Sequence, residues 1–236
     1  MLSFRIRRYF NKKYTTILFD LDGTLTDPKT GITKSVAYAL KSFGIEIKDL
    51  DSLCKFIGPP LRVSFRDYYG FSEKDCVKAI EKYREYFRET GLFENKVYPG
   101  IENLLKNLKQ SGRNLFVATS KPTVFAVRII EHFNLLRYFN YVAGSELDGS
   151  RDSKSDVIKF ALQENGLTDL TNVVMVGDRE HDVIGAKENN IDVIGVLYGY
   201  GDRTELEKAG ATYVVETVEE LNELLMCKTE LDYNGQ

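Results

Sequence analysis

The sequence predicts an α/β protein, a doubly wound parallel sheet with an all-helical segment inserted after its first strand. Three observations predict it. From Asn114 onward, short apolar runs alternate with amphipathic helical stretches. The first apolar run, Ile17-Leu18-Phe19, ends in Asp20-Leu21-Asp22 and then Gly23-Thr24. Between that run and the next strand lie about ninety residues with helical periodicity and no convincing strand.

Taken in order, residues 17–19 read as a strand buried on both faces, because the run is apolar without alternation. Residues 33–43, 52–69 and 72–90 read as helices, broken at Gly44, at Gly58-Pro59-Pro60 and at Gly70-Phe71. The sheet resumes after Tyr98-Pro99-Gly100. Residues 115–118 form the next strand, and Pro122 fits the first position of a helix carrying Phe125, Ile129 and Ile130. Residues 141–143 read as a weaker strand, and 154–162 as a helix with Val157, Ile158 and Ala161 inward. A buried strand over 173–176, a helix over 181–189, strands over 191–197 and 213–215 and a helix over 218–225 complete the pattern. Strands and helices in alternation imply right-handed crossovers in one parallel sheet. The expected division is a core of residues 15–29 and 97–226, a helical insertion of 30–96, a basic extension of 1–14 and a tail of 227–236.

A chain of 236 residues can hold such a core plus a smaller module. Hydrophobic residues at 43%, charged residues at 28% and a net charge of −3 describe an ordinary globular protein and give no basic field for nucleic acid. No apolar stretch approaches membrane-spanning length, so no integral membrane association is expected. Cys54, Cys76 and Cys227 form no metal or redox spacing. With no secretory signal they read as reduced thiols of a cytoplasmic protein. The first residues, MLSFRIRRYFNKKY, read as a short basic extension lying on the protein. The expected state is a monomer or a weak dimer.

Ligands of open α/β sheets bind at the carboxyl ends of the strands, near the point where strand order reverses. The strand ends here carry Asp20 and Asp22, then Thr119-Ser120-Lys121, then a polar loop leading to Lys154, then Gly177-Asp178 with Asp182 four residues on. Converging carboxylates repel unless a cation neutralises them, and an oxygen-rich site suits Mg²⁺. Hydroxyls and a lysine beside such a metal suit a phosphoryl group.

Asp20-Leu21-Asp22-Gly23-Thr24, Thr119, Lys154 and Gly177-Asp178…Asp182 resemble the four motifs of the haloacid dehalogenase superfamily, in order, over nearly the whole chain. The resemblance implies a Rossmann-like core with an inserted all-helical cap domain. It implies a phosphatase in which Asp20 is the nucleophile, forming an aspartyl-phosphate, and Asp22 the general acid and then base. Asp20, Asp178 and the backbone carbonyl of Asp22 would hold Mg²⁺, and Thr119, the Ser120 amide and Lys154 would grip the phosphoryl oxygens. Asp182 is expected to support the metal site without ligating it. To donate its proton near neutrality, Asp22 needs a raised pKa. The dehalogenases of the superfamily lack an acid at that position, so Asp22 argues for phosphate ester chemistry.

Arg62 and Arg66, after the Gly58-Pro59-Pro60 break, are candidates for reading a substrate carboxylate or second phosphate. The motif environments resemble the phosphoglycolate phosphatase and 5′-nucleotidase groups. Ser120 and Arg179 depart from the pattern more usual in phosphoglycolate enzymes. The expected substrate is a small phosphorylated metabolite. A sugar phosphomutase of the β-phosphoglucomutase type is the alternative on the same scaffold. A non-catalytic phospho-aspartate signalling domain would share the acidic pocket but lack the insertion.

Overall fold

The computed structural model describes residues 13–226. The tail of 227–236, Cys227 and nearly all of the basic extension therefore lie outside the described residues. The chain opens with β1 (Thr16–Phe19) and a two-residue β2 (Thr26–Asp27), then α1 (Lys29–Lys41), α2 (Leu61–Tyr69), α3 (Glu73–Tyr86) and a two-residue β3 (Lys96–Val97). It continues through α4 (Ile101–Gln110), β4 (Asn114–Pro122), α5 (Thr123–His132), β5 (Tyr141–Ser145), α6 (Lys154–Glu164) and β6 (Val173–Gly177). It ends with α7 (Glu180–Glu188), β7 (Asp192–Val196), α8 (Arg203–Ala209), β8 (Tyr213–Val215) and α9 (Val218–Met226).

Six strands make one parallel sheet in the order β5-β4-β1-β6-β7-β8. The chain builds outward from β1 to β5, returns, and builds the other half from β6, so the order reverses between β1 and β6. Every residue of β1 is buried, which explains its unbroken apolar run. Its side chains alternate: Ile17 and Phe19 join the apolar layer with α4, α5 and α9, while Leu18 joins the layer with α6, α7 and α8. Helices thus cover both faces, as the doubly wound expectation required.

Two helices, α4 and α8, were not anticipated. In α4, Ile101, Leu104, Leu105 and Leu108 are buried at helical spacing, a readable stripe. Helix α8 spans seven residues and buries only Leu206, too little for a period to show. Pro122 also differs from expectation: its ψ of 133° is extended, so it ends β4 and caps α5 rather than opening the helix.

Between β2 and β3 the chain is helical. A 3₁₀ stretch, Leu50–Phe56, precedes α2, and a π-helical turn, Phe87–Gly91, follows α3. Rings hold this cap together: Phe65 lies 5.1 Å from Phe56 and 5.8 Å, stacked, from Phe71. Strands β2 and β3 pair antiparallel, Thr26 with Val97 and Asp27 with Lys96. Both crossings of the chain between core and cap therefore run through one short ribbon. Among the described residues no helix is long and apolar enough to cross a membrane.

Candidate active site

The parallel register sets the floor of the site. Phe19 pairs with Val117 on one side and Val176 on the other. Beyond this level the chain carries Asp20 and Asp22 after β1, Thr119 and Ser120 in the last residues of β4, and Asp178 after β6. The Asp20 amide donates to Val176 O at 2.9 Å, which ties the first aspartate to the neighbouring strand. Asp20, Asp178 and Asp182 each offer a carboxylate oxygen within 4.8 Å of the other two, and all three are buried.

Lys154, at the first turn of α6, is buried among them. Its Nζ lies 2.5 Å from Asp20 Oδ1 and 2.8 Å from Asp182 Oδ1, and donates to Ala118 O at 3.2 Å. Burial alone would push its pKa down, but Asp182 and Asp20 outweigh it and hold the ammonium above its ordinary value. Burial, with Asp182 and Asp20 adding, pushes the Asp178 carboxyl well up. Burial raises Asp182 too, against the pull of Lys154. Asp182 Oδ2 accepts the Arg179 amide at 3.1 Å, so one of its oxygens faces a lysine and the other a backbone donor.

Two glycines bring backbone up to Asp178. Gly23 has φ +87°, and a Cβ there would stand 2.1 Å from Asp178 Oδ2. Gly199 approaches from the loop after β7, where a Cβ would lie 2.4 Å from Gly23 O and from Asp178 Cβ. In the same loop the Tyr200 amide donates to Asp178 Oδ2 at 2.8 Å, and Tyr200 Oη hydrogen-bonds Asp27. This loop was missed; its signal is the Gly199-Tyr200-Gly201 run directly beyond a strand end.

A second omission is Lys121. It is buried, its Nζ lies 2.7 Å from Asp22 Oδ2, and the Phe87 ring of the cap stands 4.6 Å from the ammonium. Lys121 sits two residues from Thr119 on the same strand, in the stretch where pairing with β5 shifts register between Ala118 and Pro122. Burial raises the Asp22 pKa, against the pull of Lys121. That agrees in direction with the expectation for an acid. Thr119 is buried in β4, three residues before its end, with its Oγ1 accepting the Lys121 amide at 3.3 Å. Ser120 O accepts Ser145 Oγ at 2.8 Å.

Two adjoining cavities open where the cap meets the core. The inner one, about 90 Å³, is lined by Asp22, Lys121 and Ser120 and by Phe56, Tyr83, Phe87 and Phe125. The outer one, about 220 Å³, has Arg62 and Arg84 on its walls beside Glu81, Glu146, Asp148 and Asp152. Arg84 lines both cavities and donates to Leu147 O at 3.2 Å. Arg62 is exposed and paired with Glu73, while Arg66 is exposed and held by Asp67 at 2.7 Å. The structure brings Asp20, Lys154, Asp178 and Asp182 together and sets Asp22 under the cap. It places Arg62 at the outer rim and turns Arg66 to an ion pair on the surface. Arg179 ties the two parts together: Nη1 donates to Ile57 O of the cap at 2.9 Å, and Nε pairs with Glu205 at 2.8 Å.

An acidic cluster at the switch point of a parallel sheet, roofed by a helical insertion, defines a capped α/β protein with its candidate site at the strand ends. The family model described as haloacid dehalogenase-like hydrolase matches residues 17–196. The chain belongs to that family and is an enzyme of its phosphatase kind. It is 47% identical to a 5′-nucleotidase of Pseudomonas aeruginosa over 90% of this chain and 96% of that one. It is 40% identical to the tyrosine-protein kinase PtkA of Mycobacterium tuberculosis, over 89% of this chain and 72% of that one. The crystal structure of a predicted phosphatase from Clostridium acetobutylicum superposes with a TM-score of 0.88 at 53% identity, covering 90% of this chain and 98% of that one.

Proposed function

We propose that the chain is a Mg²⁺-dependent phosphate monoester hydrolase that works through an aspartyl-phosphate on Asp20. The observation that carries this reading is the division of the buried charges into two sets. Asp20 stands with Lys154, Asp178 and Asp182, while Asp22 stands apart with Lys121. Four carboxylates against two ammonium groups leave two negative charges if all are ionised, and the donors are oxygens only. That set fits a hard divalent cation. Mg²⁺ would be held by Asp20, Asp178 and the carbonyl of Asp22, and would offset the charge repulsion between a carboxylate and a phosphate. Asp182, already engaged by Lys154 and the Arg179 amide, supports the site rather than ligating.

In this mechanism Asp20 attacks phosphorus and the ester P–O bond breaks. Its electron pair goes to the leaving oxygen, which takes the proton of Asp22. Water then attacks the phosphorus, gives a proton to Asp22, and frees Asp20 as its bond to phosphorus breaks. Thr119, the Ser120 amide and Lys154 hold the phosphoryl oxygens. The cap closes over this chemistry and excludes competing water.

Nucleoside 5′-monophosphates are the favoured substrates in this reading, ahead of phosphoglycolate. The aromatic wall of the inner cavity suits an apolar or planar leaving group. In the outer one, four acidic side chains face two arginines, an unfavourable surface for a second carboxylate. The likeness to the Pseudomonas 5′-nucleotidase supports the same choice.

The test is turnover of nucleoside 5′-monophosphates, phosphoglycolate and p-nitrophenyl phosphate, with Mg²⁺ and with a chelator, beside Asp20→Asn. The expected result is activity only with Mg²⁺, preference for the nucleotides, and a loss of on the order of 10³-fold or more in Asp20→Asn. Metal-independent hydrolysis, or an active Asp20→Asn enzyme, would overturn the mechanism.

A further inference from the structure

The inner cavity contains a buried lysine, paired with Asp22, that the proposed chemistry leaves without a task. Lys121 is 8% exposed, in contact with Asp22 Oδ2 at 2.7 Å and with the Phe87 ring at 4.6 Å. Asp22 Oδ1 is fully buried and has no hydrogen-bond partner. The two oxygens of one carboxyl group are therefore unequal. A lysine ammonium can only donate, so Oδ2 is committed as an acceptor and a proton on Asp22 belongs on Oδ1. An orphaned carboxylate oxygen in a cavity is costly unless a ligand or a proton meets it.

Phe87 adds a second constraint. It comes from the cap, at the start of the π-helical turn Phe87–Gly91, a geometry common where a helix is shaped for function. Its ring stacks on Tyr83 at 5.2 Å and meets Phe125 of the core edge-on at 5.5 Å. The ammonium of Lys121 is thus held between a core carboxylate and a cap ring.

We propose that Lys121 is a positioning residue: it fixes Asp22 so that the transferable proton sits on Oδ1, and Phe87 makes that arrangement depend on the seated cap. This rests on the reading of Asp22 as the acid. In the first half-reaction the Oδ1 proton passes to the leaving oxygen as the ester bond breaks, giving a neutral alcohol and a carboxylate already beside Lys121. In the second half-reaction the same oxygen takes a proton from the attacking water. Without Lys121 the carboxyl group rotates freely and the proton is no longer held toward the leaving group.

The inference separates from a phosphate-gripping role by leaving-group dependence. An alkyl alcohol leaves poorly unless protonated, whereas p-nitrophenolate leaves without help. Turnover of glycerol 2-phosphate and of p-nitrophenyl phosphate is compared for the Mg²⁺-loaded wild type, Lys121→Met, Lys121→Arg, Phe87→Leu and Asp22→Asn. In Lys121→Met the alkyl ester should lose about tenfold or more in kcat/KM beyond the loss on the aryl ester, a fraction of a full general-acid effect. Lys121→Arg should recover part of this, and Phe87→Leu should show the same selectivity more weakly. Phe87→Leu removes no charge and tests the idea even where Lys121→Met folds poorly. Equal losses on both esters in the Lys121 variants would assign Lys121 to the phosphoryl group and overturn the proposal, as would unchanged selectivity in Phe87→Leu. If Asp22→Asn itself loses both esters equally in kcat/KM, which reports the first half-reaction alone, the acid assignment fails and this inference falls with it.

Discussion

The floor of the site and the cap above it handle charge in opposite ways. On the floor, Asp20, Asp178, Asp182 and Lys154 are all buried and meet one another at strand ends and helix starts. In the cap, Arg62 and Arg66 are exposed and paired with acidic neighbours of the same module. The cap coheres through rings around Phe65, and the floor through reciprocal ion pairs and backbone amides. Buried pairs fix geometry to fractions of an ångström but tolerate no loss of a partner. Aromatic packing tolerates change more readily and leaves the outward face free to vary.

The largest expected effect tests the cap alone. Phe65→Ala removes a fully buried ring and should destabilise the cap by about 3–5 kcal/mol. Hydrogen exchange should show lost amide protection across α1, α2 and α3, with β1, β4 and β6 still protected. Uniform loss across both regions would mean they do not fold as separable units.

A smaller effect tests the floor through pH. In the metal-free protein burial raises Asp178, Asp182 and Asp22, all from an ordinary 3.8 to which they return on unfolding. The folded chain then binds more protons than the unfolded one above pH 3.8. Its stability should fall as pH rises through that window. Lys154 works in another range: its raised folded value keeps its contribution intact below 10.5 and loses it only above. Thermal melts without metal should therefore drop by several degrees from mildly acidic to neutral pH, and Mg²⁺ should flatten the trend. A trend of the opposite sign would show that the carboxylates are not held at raised values.

The smallest effect is Arg66→Ala, which breaks an exposed pair with Asp67 and should change stability by within about 0.5 kcal/mol. Nucleotide KM should move less than twofold, whereas Arg84→Ala, at the junction of the cavities, should move it more.

Much of the floor was legible because its aspartates end apolar strands, where burial and topology leave few alternatives. Asp20 and Asp178 both follow β-strands that pair side by side, and periodicity found both strands. Lys121 escaped for a physical reason: a lysine in a strand-end segment looks solvated until the cap ring and Asp22 close around it. The orientation of Arg66 was not legible, because the face of α2 that turns inward is set by Ser64 and Phe65, and one helix cannot declare its own orientation. The loop that carries Tyr200 to Asp178 is a long-range contact, 22 residues apart, with no local period to announce it.

The ribbon of β2 and β3 has a consequence for descent. It holds the two ends of the cap one strand spacing apart, about 5 Å, whatever lies between them. To the sheet, the whole cap is a single loop with fixed ends. Doubling the length of a flexible loop costs only about 0.6 kcal/mol. A lineage can therefore lengthen, shorten or exchange everything beyond Asp27 and before Lys96 while its aspartates keep their places.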